Sequence, residues 1–402
     1  MLFWILTSVL LTIFYIGIMV SYRREWNALP TETALATDVK TAVTVIIPAR
    51  NEATRITGIL YDLSQINYPE QLLEIIVIDD HSEDNTLAVV QEFADRDKRI
   101  HIQQLSALLP DAHQTSAYKK RAIEAAVQLA KGDLIITTDA DCRVQKDWIR
   151  SIVTQYEQHP CKLIAAPVCF YQDKSSFEKF QTLDFCGMQA ITAASLEMEM
   201  YNMANGANLA YEKAAFLQVN GYQGIDDKAS GDDMLLVYKI AQQFRGGVHF
   251  LKHEKAIVYT PPMPTLREFL QQRFRWTSKS GSYQDKRITL ILGLVYLFVL
   301  SIWLNAFYFL WNVVHSMLFP NPTLIGLINF LPALIIAIVL IIQIIAKTVT
   351  DFFFLSSAAS FFRRTDLMKT FLLSELWHIW YIPFVGTLGN ILPYTWKGRK
   401  LR

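Results

Sequence analysis

The hydrophobic positions along this chain fall into three regimes. Residues 1–20 carry no charged side chain, and Arg23-Arg24 follow at once; about 20 apolar residues is the span of a bilayer core. No positive charge precedes the run and no small-residue cleavage site follows it. The pattern therefore predicts a retained anchor over residues 1–22 with its basic flank in the cytosol. Residues 26–40 are polar and patternless, a short linker. Between 41 and 284, strand-like runs alternate with helical ones. Over residues 118–131, for example, Ala122, Ile123, Ala126, Val127 and Ala130 recur on one helical face before Gly132-Asp133 ends it. Such alternation predicts an α/β domain with right-handed crossovers and a mostly parallel sheet.

The third regime begins after Lys286-Arg287. Residues 288–319 and 323–346 contain no Asp, Glu, Lys or Arg, which predicts spans over about 288–314 and 323–346. The joining loop, 315–322, lacks Lys and Arg and is expected on the outside. A last apolar segment, 370–392, is interrupted by Glu375, His378, Pro383, Gly386 and Gly389, while the basic tail from Lys397 to Arg402 favours the cytosol. Counting a fourth full crossing would put that tail outside. An embedded or re-entrant element, paired with the short apolar run 352–362, reconciles the two within a C-terminal membrane region of 288–402.

Composition supports this division. Hydrophobic residues make up 52% of the 402 residues, concentrated in the outer regimes, and 38 basic against 37 acidic side chains leave a formal charge of +1. The basic excess of a nucleic-acid binder is absent. Cys142, Cys161, Cys169 and Cys186 show no metal-type spacing and read as ordinary reduced thiols.

Three strand-like runs end in polar tips: Val43 to Pro48 before Ala49-Arg50-Asn51-Glu52, Glu74 to Ile78 before Asp79-Asp80-His81-Ser82, and Ile135 to Thr138 before Asp139-Ala140-Asp141. Ligands of open parallel sheets bind beyond the carboxyl ends of strands, so these tips are expected to converge. Asp139 and Asp141 can present oxygens to one divalent cation whose shell substrate phosphates complete; a solvated acidic turn is the plainer alternative. Asp80 can accept from a base N–H or a ribose hydroxyl. Ser82 suits the N-cap of a helix over Asn85–Phe93. Lys119-Lys120-Arg121 at a helix start favours an anion. Asp232-Asp233 precedes an apolar helical run, either as an acidic first turn or as a general base, because an attacking sugar hydroxyl must lose its proton. Gln272, Arg275 and Trp276 share a helical face with an amide, a guanidinium for phosphate and an indole for sugar stacking; an interfacial helix with snorkelling arginines would carry the same residues.

The blocks VTVIIPARNEA, VIDDHSEDNT, TTDADCRV, GANLAYEK, SGDDMLL and QQRFRW, in this order across about residues 43–280, resemble the membrane-bound glycosyltransferases of family 2. The resemblance implies a GT-A, Rossmann-like catalytic domain over 41–284, flanked by transmembrane helices. It implies that Pro48, Arg50, Glu52, Asp80 and Lys119 line the nucleotide site, that Asp139 and Asp141 address a metal (Mg2+ or Mn2+) and the diphosphate, and that Asp233 is the base. Gln272, Arg275 and Trp276 would bind on the acceptor and diphosphate side. The implied reaction is a single inverting displacement that moves a hexose or N-acetylhexosamine from a nucleotide-diphosphate sugar, UDP-linked by expectation, to a hydroxyl of a membrane lipid or lipid-linked glycan. The alternative is a processive polysaccharide synthase, for which three or four spans leave little protein to enclose a conduit. Two positions depart from the family pattern. The usual Glu-Asp pair is Asp232-Asp233 here, and Arg50 replaces a frequent aromatic residue, so a guanidinium contact is expected in place of stacking. The catalytic domain is expected in the cytosol, with nucleotide sugar, acceptor and bilayer as partners and no nucleic acid.

Overall fold

A computed structural model describes the chain apart from residues 32–33, 109–117, 202, 226–230, 280–282, 284, 320–323, 397–398 and 402. The chain forms two compact units: Met1–Arg24 with Leu266–Tyr394, and Glu25–Thr265 with Thr395–Arg402. Helix α1 (Leu2–Ala28) opens the chain.

The second unit is built on β1 (Val43–Ala49), α2 (Ile56–Ser64), β2 (Leu73–Asp79), α3 (Thr86–Arg96), β3 (Ile100–Gln104), the single turn α4 (Leu105–Leu108), α5 (Tyr118–Leu129) and β4 (Leu134–Thr137). It continues through α6 (Trp148–Gln158), β5 (Leu163–Ala165), β6 (Val168–Phe170), α7 (Ser176–Glu197), β7 (Leu209–Glu212), α8 (Lys213–Gln218), α9 (Asp232–Gln243), β8 (Val248–Phe250) and β9 (Val258–Thr260). Seven strands form one sheet in the order β3-β2-β1-β4-β7-β5-β8, and β6 pairs with β9. Strands β3, β2, β1 and β4 run parallel, and β7 lies antiparallel between β4 and β5. Val45, Ile46, Ile47, Ile75, Ile78, Ile135 and Ile136 are almost wholly buried, because a parallel strand covered on both faces needs apolar side chains on each. Helix α5 covers the sheet with Ala122, Ile123, Ala126 and Val127, the face expected from its spacing.

The chain passes outward from β1 through β2 to β3 and returns on the other side of β1 at β4. That reversal opens a crevice beyond the carboxyl ends of β1 and β4. Pairing between β1 and β4 ends at Ile46 and Thr137. Pro48, which has no N–H to give, lies past the last residue that the β4 ladder uses.

One expected cap differs. Ser82 does not cap α3; its hydroxyl accepts from the Asn51 amide at 3.0 Å, and Asp84 Oδ1 takes the Thr86 N–H at 3.0 Å. Asp84 stands two residues before Thr86, whereas Ser82 is drawn across to the β1 loop.

The other unit contains α10 (Leu266–Thr277), α11 (Lys286–Leu318), α12 (Leu324–Phe361) and α13 (Phe371–Leu388). Among the described residues, three helical stretches, Leu2–Ala28, Lys286–Leu318 and Phe330–Phe361, are long and apolar enough to cross a membrane. Helix α12 runs unbroken through Lys347 and Asp351, joining the expected second span to the apolar run 352–362. The two charges that ended the hydropathy pattern neutralise each other at 2.6 Å. Helix α13 is likewise continuous across Pro383 and Gly386, two of the residues that interrupt the apolar pattern of 370–392. Proline removes the N–H that would bond the carbonyl four residues back, and that carbonyl, Ile379 O, accepts instead from Trp303 Nε1 of α11 at 3.0 Å. The expected outer loop 315–322 and basic tail 397–402 fall partly outside the described residues.

Gly132, between α5 and β4, donates its N–H to Thr44 Oγ1 at 2.9 Å, and a Cβ there would stand 2.4 Å from Thr44 N. Gly132→Ala must therefore push β1 back from its neighbours. The expected cost is about 1–3 kcal/mol, the scale of forced overpacking, read as a lower denaturation midpoint of the detergent-solubilised protein; an unchanged midpoint would contradict this packing.

Candidate active site

The crevice is assembled by side chains that lock its loops to one another. Asn51 Oδ1 accepts from Glu83 N at 2.8 Å, Ala53 N donates to Asp84 Oδ2 at 3.1 Å and Glu52 N donates to Thr86 Oγ1 at 2.8 Å. The β1 loop and the β2 loop are thereby fixed as one surface. Asn51 and His81 hold left-handed backbone, with φ of 52° and 58°, a conformation that Asn and His tolerate better than most residues.

On this surface the expected nucleotide-side residues Pro48, Arg50, Glu52 and Asp80 gather at the tips of β1 and β2. Arg50 Nη1 donates to Asp80 O at 3.2 Å and its Nη2 lies 3.6 Å from Glu83 Oε1. His81 Nδ1 stands 3.0 Å from Asp80 Oδ1, and its ring meets Tyr118 edge-on at 6.2 Å. Asp79 and Asp80 are both buried; Asp79 Oδ2 accepts from Ser82 N at 3.2 Å, which closes the β2 turn. Asp79 thus shapes the loop that presents Asp80.

At the tip of β4, Asp139 and Asp141 lie on a turn closed by Cys142 N donating to Asp139 O at 3.1 Å. Their side chains are 38% and 26% exposed, enough for a ligand to reach. Arg55 Nη1 sits 3.9 Å from both Asp141 Oδ2 and Glu52 Oε2, linking this turn to the β1 loop. Burial, then the charges of Asp139 and Asp141, push the Cys142 thiol well above its ordinary pKa, so it stays protonated.

Lys119 is the centre of the arrangement. Its Nζ donates to Asp139 Oδ1 at 2.8 Å and lies 3.3 Å from Asp232 Oδ2. Burial opposes the charge, but Asp139, Asp232 and Asp233 outweigh it and hold the ammonium above the ordinary lysine range. The expected basic cluster is divided by the fold. Lys120 turns into the core and donates to Ile225 O at 2.5 Å, while Lys119 enters the crevice.

The acid pair begins α9. Gly231 precedes it with φ of 85°, a conformation glycine takes without strain, and Asp233 Oδ1 accepts from Met234 N at 2.7 Å. Both carboxylates sit in the first turn, where the helix favours negative charge. Gly206 passes directly over them: a Cβ there would be 3.2 Å from Asp232 Oδ2 and 3.4 Å from Lys119 Nζ. Thr137 Oγ1 donates to Gly206 O at 2.9 Å, and Asn208 fastens the following turn by donating to Pro167 O and Ala256 O, each at 2.8 Å. Beneath Asp232, burial and its nearby charge keep the phenol of Tyr211 protonated.

Arg55, His81, Gly206 and Asn208 carry no mark in the sequence that sets them apart as site residues. The blocks GANLAYEK and VIDDHSEDNT contain three of them, but nothing in the spacing separates a contact residue from its neighbours. Gln272, Arg275 and Trp276 belong to the other unit, on α10. There Gln272 is buried, Arg275 and Trp276 are partly exposed, and Arg273 joins two of them: its Nη1 donates to Gln272 Oε1 at 3.3 Å and its guanidinium covers Trp276 at 4.3 Å.

Asp139 and Asp141 offer only oxygen donors, and each already attracts a side-chain cation, Lys119 and Arg55 respectively. That donor set fits a hard divalent cation such as Mg2+ or Mn2+.

Comparison with known proteins agrees with the fold. "Probable glycosyltransferase YdaM" of Bacillus subtilis is 25% identical over 238 residues, covering 58% of this chain and 54% of that protein. "Beta-monoglucosyldiacylglycerol synthase" of Trichormus variabilis is 24% identical over 135 residues, 34% of this chain and 28% of its own. The chain thus spans about half or less of the length of these relatives. Among solved structures, the mannosyltransferase PcManGT of Pyrobaculum calidifontis, in complex with GDP-Man and Mn2+, superposes with a TM-score of 0.54 at 16% identity, over 93% of this chain and 99% of that one. The model of glycosyl transferase family 2 matches residues 44–215 and that of glycosyl transferase family group 2 matches residues 134–349. With more than half of its length matched and the sheet, the crevice and the acidic tips in place, the chain belongs to glycosyl transferase family group 2.

Proposed function

We propose that this protein transfers one hexose or N-acetylhexosamine, with inversion, from a nucleoside-diphosphate sugar to a hydroxyl of a membrane lipid or lipid-linked acceptor. The observation that carries this reading is the Lys119 ammonium shared by Asp139 and Asp232. It joins the strand tip suited to a diphosphate with the helix turn suited to a base.

In this reading Asp80 accepts from the base or ribose, and Arg50, held by the Asp80 carbonyl, borders the same pocket. Asp139 and Asp141 would hold a divalent cation, which when bound neutralises charge on the departing diphosphate. Lys119 supplies a further positive charge there. Asp232 is engaged with Lys119, whereas Asp233 points its carboxylate along the amide end of α9, so Asp233 takes the proton as the acceptor oxygen attacks the anomeric carbon. Attack from the side opposite the leaving diphosphate inverts that carbon. Gln272, Arg275 and Trp276 are assigned to acceptor and diphosphate by their motif.

Three apolar helices, the lipid product in the name of the Trichormus relative and the Arg23-Arg24 and Lys286-Arg287 flanks support a membrane-embedded enzyme whose catalytic unit faces the cytosol, where nucleotide sugars reside.

Excess chelator is expected to abolish turnover in purified enzyme, with restoration by Mg2+ or Mn2+, and Asp141→Ala is expected to be inactive yet folded. Full activity in chelator would remove the metal from this account. Asp233→Asn is expected to lose on the order of 10² or more in turnover while donor binding, measured by calorimetry with the nucleotide, stays nearly constant. Normal turnover in Asp233→Asn with an inactive Asp232→Asn would exchange the two roles. Incubation with native membranes and radiolabelled sugar nucleotides should put the label in lipid-soluble product carrying one or a few sugars, and Trp276→Ala should weaken acceptor use by roughly 1 kcal/mol of stacking. A long water-soluble polymer from the purified chain would favour a processive synthase.

A further inference from the structure

The membrane unit contains an ionic cluster that transfer chemistry does not call for. Lys347, fully buried on α12, places Nζ 2.6 Å from Asp351 Oδ2 on its own helix, 2.6 Å from Glu375 Oε1 on α13 and 3.1 Å from His378 Nδ1. Tyr15 of α1 donates to Asp351 Oδ1 at 2.5 Å. Asp351, Glu375 and His378 have the spacing of a metal site, with ligand atoms within 4.8 Å of one another. The Lys347 ammonium already stands among them, so the cluster carries its own cation.

Charges at membrane depth are costly and persist where they face a protein interior and one another. As pure stabilisers they do poorly, since apolar replacements of a buried ion pair are often neutral or better. What they supply is register. Helices in lipid gain little from burying apolar faces against each other, and polar contacts fix which turn meets which. A second polar layer lies one turn earlier on α12. Gln343 donates to Ser301 of α11 and accepts from Asn305, and Asn305 in turn accepts from Trp4 of α1. That layer joins α1, α11 and α12, whereas the polar link from α12 to α13 runs through Lys347, beside the edge-on contact of Phe352 with Phe371 at 5.4 Å.

Helix α13 carries α10. His378 meets Tyr381 edge-on at 5.6 Å, Tyr381 meets Phe269 of α10 at 5.7 Å, and the Arg273 guanidinium spans Phe269 at 4.6 Å and Trp276 at 4.3 Å. Phe384 of α13 packs on Phe274 at 6.3 Å. We propose that Lys347, Glu375 and His378 are positioning residues: the cluster sets the register of α13, and α13 sets the pose of the α10 helix that presents Gln272, Arg275 and Trp276. The role in acceptor use rests on the function proposed above for α10.

Glu375→Leu is the cleanest cut, because it leaves Lys347 and Asp351 as a charge-balanced pair. Spin labels on Leu266→Cys of α10 and Leu372→Cys of α13, both exposed, report the distance between the helices by electron–electron resonance in nanodiscs, independently of activity. The full-length parent is expected to give a narrow distribution, Glu375→Leu a shifted or broadened one, and Glu375→Gln, which keeps an oxygen for Lys347, a return towards the parent. In parallel, the acceptor KM of Glu375→Leu should rise about tenfold while hydrolysis of the donor by water changes less than about twofold. An unaltered distance distribution in Glu375→Leu overturns the proposal, as does equal loss of transfer and donor hydrolysis. If Glu375→Leu does not fold, the charge-free variant Lys347→Met/Asp351→Leu/Glu375→Leu is read by the same criteria, and failure of both to fold overturns positioning in favour of a structural role. Trp276→Ala separates the two readings: unchanged acceptor KM in that variant refutes the function assigned to α10, while the distance measurement still decides the positioning.

Discussion

Carboxylates on neighbouring turns repel, and Asp139 and Asp232 are held near one another by the ammonium of Lys119, 2.8 Å from one and 3.3 Å from the other. Everything else in the crevice is arranged around that contact. Helix α5 carries Lys119 on the same face as Ala122, Ile123 and Ala126, and because that face is buried its first turn delivers the ammonium to the tip of β4. Gly206 leaves room for the three groups, and Asn208 prevents the glycine turn from drifting.

The same contact gives the crevice its electrostatic character. Its acids outnumber its lysines, and a partly exposed carboxylate pair on a turn is well suited to exchange a side-chain cation for a ligand-borne one. Under the proposed function, a donor diphosphate arriving with a divalent cation would compete for Asp139 and offer Lys119 a new anionic partner. Asp232 and Asp233 would keep their places in the first turn of α9.

Much of this was legible in the sequence because it depends on local chemistry. The three strand tips, the Asp139/Asp141 pair, the helix starting at Asp232 and the buried face of α5 follow from period, polarity and position. Three features were hidden for different physical reasons. Lys119 and Lys120 are adjacent and chemically identical, and only the pitch of α5 sends one to the crevice and the other to Ile225 O. Lys347 and Asp351 look like the end of a span, because hydropathy counts each as a charge, whereas an ion pair inside the helix lets α12 continue to Phe361. Pro383 looks like a break, and the vacated carbonyl is satisfied by a tryptophan 76 positions away in the chain.

The acidic turn of Asp139 and Asp141 and the acids that begin α9 are two halves of one electrostatic centre joined by Lys119. Crystals or cryo-EM particles of the full chain soaked with Mn2+ and a non-hydrolysable nucleoside-diphosphate sugar test it most directly, with anomalous scattering locating the metal in the crystals. The account predicts Mn2+ between Asp139 and Asp141, with the diphosphate against it and Lys119 Nζ turned from Asp139 towards a phosphate oxygen. Mn2+ bound elsewhere, or a diphosphate seated while the Lys119–Asp139 contact remains intact and the metal is absent from that turn, would contradict it.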